Sequence, residues 1–211
     1  MALVLLAAAQ GLQLAAAAAV ATASLESSPW NPFPVPRGAT QIKITSHGAV
    51  GDNATLSTAA IQATIDAVRR AGGGYAVVPS GVFLTGTVNL SSNVYLQLLP
   101  GGVLQGSADP AHYSWDWDYY HVVQGINVVN SGVVGPQGAG MGGGGMIRGP
   151  MWQMIKAYDS VTGYTQQNWA NTASGCKGEC RPKNLAFIDS TNITVQGVTI
   201  ADSGEHLISS P

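Results

Sequence analysis

The chain has 211 residues, enough for one domain with a hydrophobic core. Charged residues make up only 9% of it, against about 25% in a typical soluble domain, and the formal net charge is −2. Its basic residues do not cluster, which excludes nucleic acid and anionic membrane surfaces as partners. Glycine, at 27 residues, is roughly twice as frequent as usual, which is typical of a fold with many tight corners.

The N-terminal segment has the composition of an export signal. Residues 1–25 contain no charged side chain, and Ala21-Thr22-Ala23 has the small-x-small form of a signal-peptidase site. We therefore expect a signal peptide at 1–23, secretion to the extracellular space or cell wall, and no membrane segment after cleavage. An uncleaved anchor is the alternative. The Pro-rich residues 24–40 are predicted to form a linker ahead of a domain at 41–211.

Two further features agree with secretion. Asn53, Asn89 and Asn192 each begin an Asn-x-Ser/Thr triplet and are candidate glycosylation sites. Cys176 and Cys180, the two cysteines of the chain, are predicted to form a disulfide that closes a small loop. Two thiolates without a nearby histidine do not make a zinc site, so no metal and no cofactor is predicted.

One helix is expected, over residues 57–71. Ile61, Ile65 and Val68 fall on one face at spacings of four and three. The glycines at 72–74 end the helix. A single amphipathic helix ahead of a strand-rich region is predicted to cover the open end of the first layer of strands.

A period-two pattern dominates residues 82–98. The even positions are mostly apolar, from Val82 to Leu98, and the odd positions are mostly polar. Successive side chains of a strand point to opposite faces, so the pattern predicts strands whose even residues share one face. Turn-forming residues interrupt the run at Gly86 and at 91–93, which divides it into short strands joined by corners.

Part of this pattern recurs along the chain. An asparagine followed by alternating apolar residues is found at Asn93, Asn127 and Asn192. Such self-similarity predicts an all-β solenoid, a right-handed parallel β-helix with an N-terminal capping helix. The unequal spacing predicts loops of variable length on one side. An antiparallel sandwich of short strands is the alternative.

Seven short motifs follow one another in a definite order within residues 47–107. In that order they resemble the N-terminal part of the pectin-degrading β-helix enzymes, and they are similar to the polygalacturonases of glycoside hydrolase family 28. The segment around Arg148 departs from the family, which usually has Ile-Asp-Gly-Gln-Gly there. The seven motifs lie at 47–52, 60–67, 72–74, 78–81, 84–86, 92–96 and 102–107.

This resemblance implies inverting hydrolysis of the α-1,4-galacturonan of pectin, with polygalacturonate as the partner polysaccharide of a monomeric enzyme. The family carries its catalysis in Asn-Thr-Asp, Asp-Asp, Gly-His-Gly and Arg-x-Lys motifs. The first three do not occur in these 211 residues, and Arg181-Pro182-Lys183, which has the Arg-x-Lys form, lies ahead of the positions that the family's order gives to these motifs. No catalytic residue is therefore predicted, and we expect the chain to be the N-terminal portion of a longer enzyme without hydrolase activity of its own. Two alternatives stay open: a β-eliminating or epimerising polyuronate enzyme that uses Ca²⁺ and an arginine base, and a non-catalytic short form that binds wall polysaccharide.

Two clusters are candidates for contact with substrate. Trp115 and Trp117 lie in an aromatic stretch at 113–121 that either stacks on sugar rings or packs a long loop against the solenoid. Asp202, Glu205 and His206 combine acids with a histidine. Their position ahead of the family's first catalytic motif favours a solvated turn.

Overall fold

A computed structural model describes residues 39–114, 120–136, 142–150, 182–204 and 208–209. Its strands form three sheets. The first sheet stacks β1 (Thr40–Lys43), β3 (Gly74–Val78), β6 (Val94–Leu98), β9 (Val129–Val134) and β12 (Thr191–Gln196). The second stacks β2 (Asp52–Leu56), β4 (Gly81–Thr85), β7 (Gly102–Gly106), β10 (Met146–Arg148) and β13 (Thr199–Ala201). The third stacks β5 (Val88–Asn89), β8 (His121–Ile126), β11 (Lys183–Ile188) and β14 (Ile208–Ser209).

The chain visits the three sheets in a fixed cycle, and each cycle is one coil. Every strand pairing among the described residues is parallel, and each strand pairs with the equivalent strand of the next coil. Parallel strands in one sheet need such a crossover connection, because a tight hairpin joins only antiparallel strands. The predicted parallel β-helix is confirmed, and the antiparallel sandwich is wrong.

The core lies inside the coils, and the period-two prediction is correct for only part of residues 82–98. Val94, Leu96 and Leu98 of β6 are fully buried in the core, as the even-position pattern predicted. In β4 the pattern is reversed, because Phe83 belongs to the core while Leu84 is half-exposed. The corner between β4 and β5 passes from one sheet to another and resets which side chains face inward, so one alternation cannot run through it.

The predicted helix, α1 (Thr58–Arg70), begins and ends within one residue of the expected bounds. Ile61, Ile65 and Val68 are fully buried, so the predicted inner face is confirmed. Gln62 shows how the helix covers the solenoid. Its carboxamide accepts a hydrogen bond from the backbone N–H of Asn89 at 2.9 Å and donates one to the Asn89 carbonyl at 3.1 Å. Gln62 thereby bonds the backbone N–H and C=O groups at the exposed edge of β5, as a neighbouring strand would.

Within the described residues, no helix combines the length and apolar character that a membrane span requires.

An asparagine ladder runs across the coils, and it corrects the predicted repeat. The amide of Asn130 donates to Asn93 Oδ1 at 3.1 Å, and the amide of Asn192 donates to Asn130 Oδ1 at 2.7 Å. The intervals are 37 and 62 residues, so Asn130 and not Asn127 is the equivalent of Asn93 and Asn192. The predicted repeat used Asn127 because it is also an asparagine ahead of apolar residues. Asn127 has a left-handed backbone too, with φ 54°, but it lies at the corner that precedes β9.

The three ladder residues have φ values of 62°, 54° and 55°, a conformation that asparagine adopts more readily than other side chains. We expect Asn130→Ala to be less stable than Asn130→Gly by about 1 kcal/mol, because both variants lose the ladder bonds but only glycine tolerates a positive φ without strain. Urea unfolding of the two variants and the wild type measures the difference. Equal stability of the two variants would show that backbone conformation is not what Asn130 contributes.

The motif at 47–52 forms a structural corner and not a catalytic one. Asp52 closes a turn by accepting hydrogen bonds from the backbone N–H groups of Thr55 and Ala54, at 2.8 and 2.9 Å, and from the Thr55 hydroxyl at 2.7 Å. These bonds, the Thr55 backbone N–H first, lower the pKa of Asp52 to about 2. Gly51 precedes it where a Cβ would come within 3.1 Å of both Gly81 and Phe83, so a larger residue there would force the neighbouring coil to shift slightly.

A carboxyl whose pKa is lower in the folded than in the unfolded chain stabilises the fold above its unfolded pKa. The Asp52 contribution is therefore expected to be fully present above about pH 4 and to disappear as the pH falls toward 2. NMR titration of the side-chain carboxyl should give a midpoint about 2. Asp52→Asn should remove this part of the pH dependence of unfolding. A midpoint near the ordinary value of 3.8 would contradict the turn as described.

Candidate functional site

The segments that join strands of the second sheet to strands of the third sheet differ widely in length. The connections there are 86–87, 107–120, 149–182 and 202–207. The corner between the third and first sheets has only short connections, at 90–93, 127–128 and 189–190. Connections of unequal length also join the first and second sheets, at 44–51 and at the Gly-rich 135–145, so the prediction of variable loops on one side holds only in part. In a solenoid, insertions collect on the face that commonly binds ligands, so we name the edge between the second and third sheets the loop corner.

The base of the 107–120 loop is fastened by hydrogen bonds around Ser107. Its hydroxyl lies 2.7 Å from Nδ1 of His112 and accepts the backbone N–H of Asp109 at 3.0 Å. Asp109 Oδ2 in turn lies 3.7 Å from Nε2 of His112. The three side chains resemble a serine–histidine–aspartate constellation, but Ser107 is only 3% exposed and no substrate carbonyl can reach its hydroxyl. The cluster therefore shapes the base of the loop.

Two buried tyrosines lie near the two ends of the aromatic stretch at 113–121. The rings of Tyr113 and Tyr120 are 5.8 Å apart between centroids, and the Tyr113 hydroxyl donates to the Ser107 carbonyl at 2.7 Å. Burial raises the pKa of both phenols. Trp115 and Trp117 lie outside the described residues, so their contact with sugar stays a prediction.

Gly86 allows the loop to cross the corner. A Cβ at this position would overlap the carbonyl oxygen of His112, whose backbone also accepts the N–H of Thr87 at 3.3 Å. The glycine of the Leu-Thr-Gly motif is thus required by the close approach of two backbones. The sequence alone gave no sign of this contact, because Gly86 and His112 are brought together by the fold.

A charged pair lies at the loop corner on two successive coils. Nε of Arg148 is 3.8 Å from Oδ2 of Asp202, and the two side chains are 41% and 29% exposed. Beside them Asn184 is fully buried and donates to the Ala201 carbonyl at 2.6 Å. The departure from the family at Arg148 thus places a guanidinium, with a carboxylate partner, where loops leave the coils. Asp202 has φ 53°, which agrees with the predicted turn, whereas Glu205 and His206 lie outside the described residues.

In the described part of the loop corner, both carboxylates lie beside basic groups. An inverting glycosidase needs two carboxyl groups about 6.5–9.5 Å apart, one acid and one base. Here Asp109 faces His112 and Asp202 faces Arg148, so each carboxylate has a basic neighbour. Across the described ranges no group of three or more histidine, cysteine or acidic side chains is placed to hold a metal ion. A partly exposed arginine is well suited to a sugar carboxylate.

The predicted modification sites differ in their surroundings. Asn53 is exposed, and its side chain makes no hydrogen bond to the described residues. Asn89 accepts a bond from Gln124 at 2.8 Å, and Asn192 belongs to the asparagine ladder. Cys176 and Cys180 lie outside the described residues. Glycosylation and the disulfide stay predictions.

The tyrosines permit a matched test of the loop base. Tyr113→Phe leaves the buried Ser107 carbonyl without its donor and should destabilise the protein by about 1–3 kcal/mol. Tyr95→Phe is the control, because the Tyr95 hydroxyl is buried and has no partner among the described residues, so its removal should cost nothing. Thermal and urea unfolding measure both variants. Equal effects would contradict the anchoring role of Tyr113.

Comparisons with known proteins show that part of this chain is similar in sequence to polysaccharide-modifying enzymes. Over 82 residues, 39% of this chain, the sequence is 45% identical to an exo-poly-alpha-D-galacturonosidase of Dickeya chrysanthemi. Over 61 residues, 25% of this chain, it is 41% identical to the mannuronan C5-epimerase AlgE3 of Azotobacter vinelandii. These matches span 13% and 3% of the two relatives. No family model matches the chain.

Solved structures share the fold over a larger part of the chain. A hyperthermoactive exopolygalacturonase from Thermotoga maritima has a TM-score of 0.59 at 22% identity, covering 83% of this chain and 48% of that one. A family 28 exopolygalacturonase from Yersinia enterocolitica has a TM-score of 0.63 at 20% identity, covering 78% of this chain and 35% of that one. The predicted right-handed parallel β-helix with one helix is confirmed. The chain is a right-handed parallel β-helix that is polygalacturonase-like over part of its length.

Proposed function

We propose that this chain forms coils of a secreted, pectin-degrading hydrolase that cleaves α-1,4-galacturonan with inversion. The observation that supports this most directly is the 45% identity to an exo-poly-alpha-D-galacturonosidase over 82 residues. The aligned segment is 13% of that relative, so the activity is proposed from a shared region and not from a shared whole. Secretion rests on the apolar segment at 1–23 and places the enzyme outside the cell or in its wall.

The loop corner is the proposed binding surface. Galacturonan carries one carboxylate on each sugar, so its binding needs cations that remain accessible. Arg148 supplies one, held between coils by Asp202. The loop that carries Trp115 and Trp117 leaves the same corner one coil earlier, and aromatic rings are suited to the C–H faces of sugars.

The proposal assigns no catalytic residue to these 211 residues. Inversion requires a carboxylic acid that protonates the leaving oxygen and a carboxylate that activates water on the opposite face of the ring. The Asn-Thr-Asp and Asp-Asp motifs that would supply these carboxyl groups do not occur in the sequence. The contribution proposed for this chain is therefore to hold the polysaccharide, and not to cleave it.

A second candidate is an enzyme that epimerises or β-eliminates polyuronates. The 41% identity to a mannuronan C5-epimerase over 61 residues favours it. Both chemistries begin by removing a proton beside a carboxylate, whereas hydrolysis does not. Incubation with polymannuronate and Ca²⁺, followed by NMR for epimerised residues and ultraviolet absorbance for unsaturated ends, distinguishes this candidate from the first.

The proposed function makes two measurable statements about the full chain. We expect it to be retained on immobilised polygalacturonate and to release no reducing ends from the soluble polymer. Replacing both tryptophans, Trp115→Ala and Trp117→Ala, should weaken retention at least tenfold, since base or sugar stacking on one aromatic ring contributes about 1–3 kcal/mol. Arg148→Ala should weaken it to a smaller extent and mainly at low salt.

Lys43→Ala is the matched control, because it removes an exposed positive charge from β1, away from the loop corner. Its retention should stay within twofold of the wild type. Retention that is unchanged in the double tryptophan variant would refute the loop corner as the binding surface. Release of reducing ends by the purified chain would refute the statement that it holds no catalytic residues.

A further inference from the structure

A shallow cleft of about 640 Å³, widely open to solvent, lies at the opposite end of the third sheet from the loop corner, beside the connection from the third to the first sheet. One wall is the C-terminal half of α1, and the other is the turn at 91–93. The cleft is thus built where the capping helix overhangs two successive coils. It is lined by Asp66, Arg69, Gly72, Leu90, Ser91, Ser92, Asn93, Ile126 and Val128.

The lining combines three kinds of group. Leu90 and Val128 are almost fully buried and, with Ile126, present apolar side chains from two coils. The turn contributes the hydroxyl groups of Ser91 and Ser92. A sugar ring needs this combination, because it has an apolar C–H face and a rim of hydroxyl groups.

Arg69 is the charged group that determines the class of ligand. Its side chain is exposed and makes no hydrogen bond or ion pair to the described residues. The neighbouring Arg70 differs, since its Nε donates to the Asp66 carbonyl at 3.2 Å. Favourable interaction with the helix dipole accounts for a basic residue in the last turn of α1 but not for its position in a cleft. An accessible guanidinium in a concave site is suited to a carboxylate.

We propose that this cleft is a second carbohydrate site, which binds one uronate residue of an acidic polysaccharide. Its carboxylate would contact Arg69, its hydroxyl groups would contact Asp66 and Ser91, and its C–H face would lie on Ile126. The choice of a uronate among carboxylated ligands rests on the proposed function. The site itself is separate from the loop corner and requires no catalysis. Two sites on one chain would strengthen retention on a polymer by raising the effective concentration of the second contact.

The test follows the backbone amides of Gly72, Ser91 and Ile126 by NMR while trigalacturonate is added to the full chain. These three amides should shift together in the wild type. In Arg69→Ala the dissociation constant read from them should rise about tenfold or more, since a hydrogen bond to a charged group contributes that much. Arg70→Ala is the matched control and should stay within twofold. A neutral galactose trisaccharide should bind at least tenfold more weakly than trigalacturonate.

The outcomes separate this inference from the proposed function. The shifts should persist in the variant that lacks Trp115 and Trp117, even where that variant is no longer retained on polygalacturonate. Absence of shifts at the three amides, or equal weakening by Arg69→Ala and Arg70→Ala, would overturn the second site and leave the loop corner to be judged by its own variants. Comparable binding of the neutral trisaccharide would overturn the assignment of a carboxylate to Arg69.

Discussion

The structure depends on the stacking of parallel strands, in register, from one coil to the next. Each coil must present the same three strands to its neighbours, since the backbone N–H and C=O groups of a strand in an inner coil pair with the equivalent strands of the coils on either side. Tyr75 pairs with Tyr95 and Tyr95 with Gly132, so a shift by one residue would turn inward-facing side chains outward. This constraint fixes the strands and leaves the corners free to vary.

The corners differ in how much their length and conformation vary. Where the backbone turns sharply, the same conformation recurs, and an asparagine with positive φ both adopts it and bonds to the coil above, as Asn93, Asn130 and Asn192 do. Where loops leave, at the loop corner, Arg148 is held by the pairing of its backbone with Ala201, and Asp202 follows directly, while both side chains stay accessible. At the end of the stack there is no further coil to pair with the edge strand. There the side-chain amide of Gln62 makes the two hydrogen bonds to the backbone of β5 that a further strand would make.

The sequence predicted those features that depend on local pattern. The helix and its buried Ile61 and Ile65 follow from spacing, and the parallel solenoid follows from recurring Asn-led strands. It could not predict the register of the repeat, because two asparagines three residues apart share one backbone conformation and only the hydrogen bonds show that Asn130 is equivalent to Asn93. The Arg148–Asp202 pair could not be predicted from the sequence either, since its two residues meet only through the pairing of successive coils.

The central claim is that the loop corner holds an acidic polysaccharide. Hydrogen exchange measured by mass spectrometry, with and without an oligogalacturonate of five sugars, tests this most directly on the full chain. The account predicts slower exchange in peptides from 107–120, 149–182 and 202–207, and no change in the strands of the first sheet away from the cleft beside α1. Binding of the oligosaccharide without protection of any loop-corner peptide would contradict it.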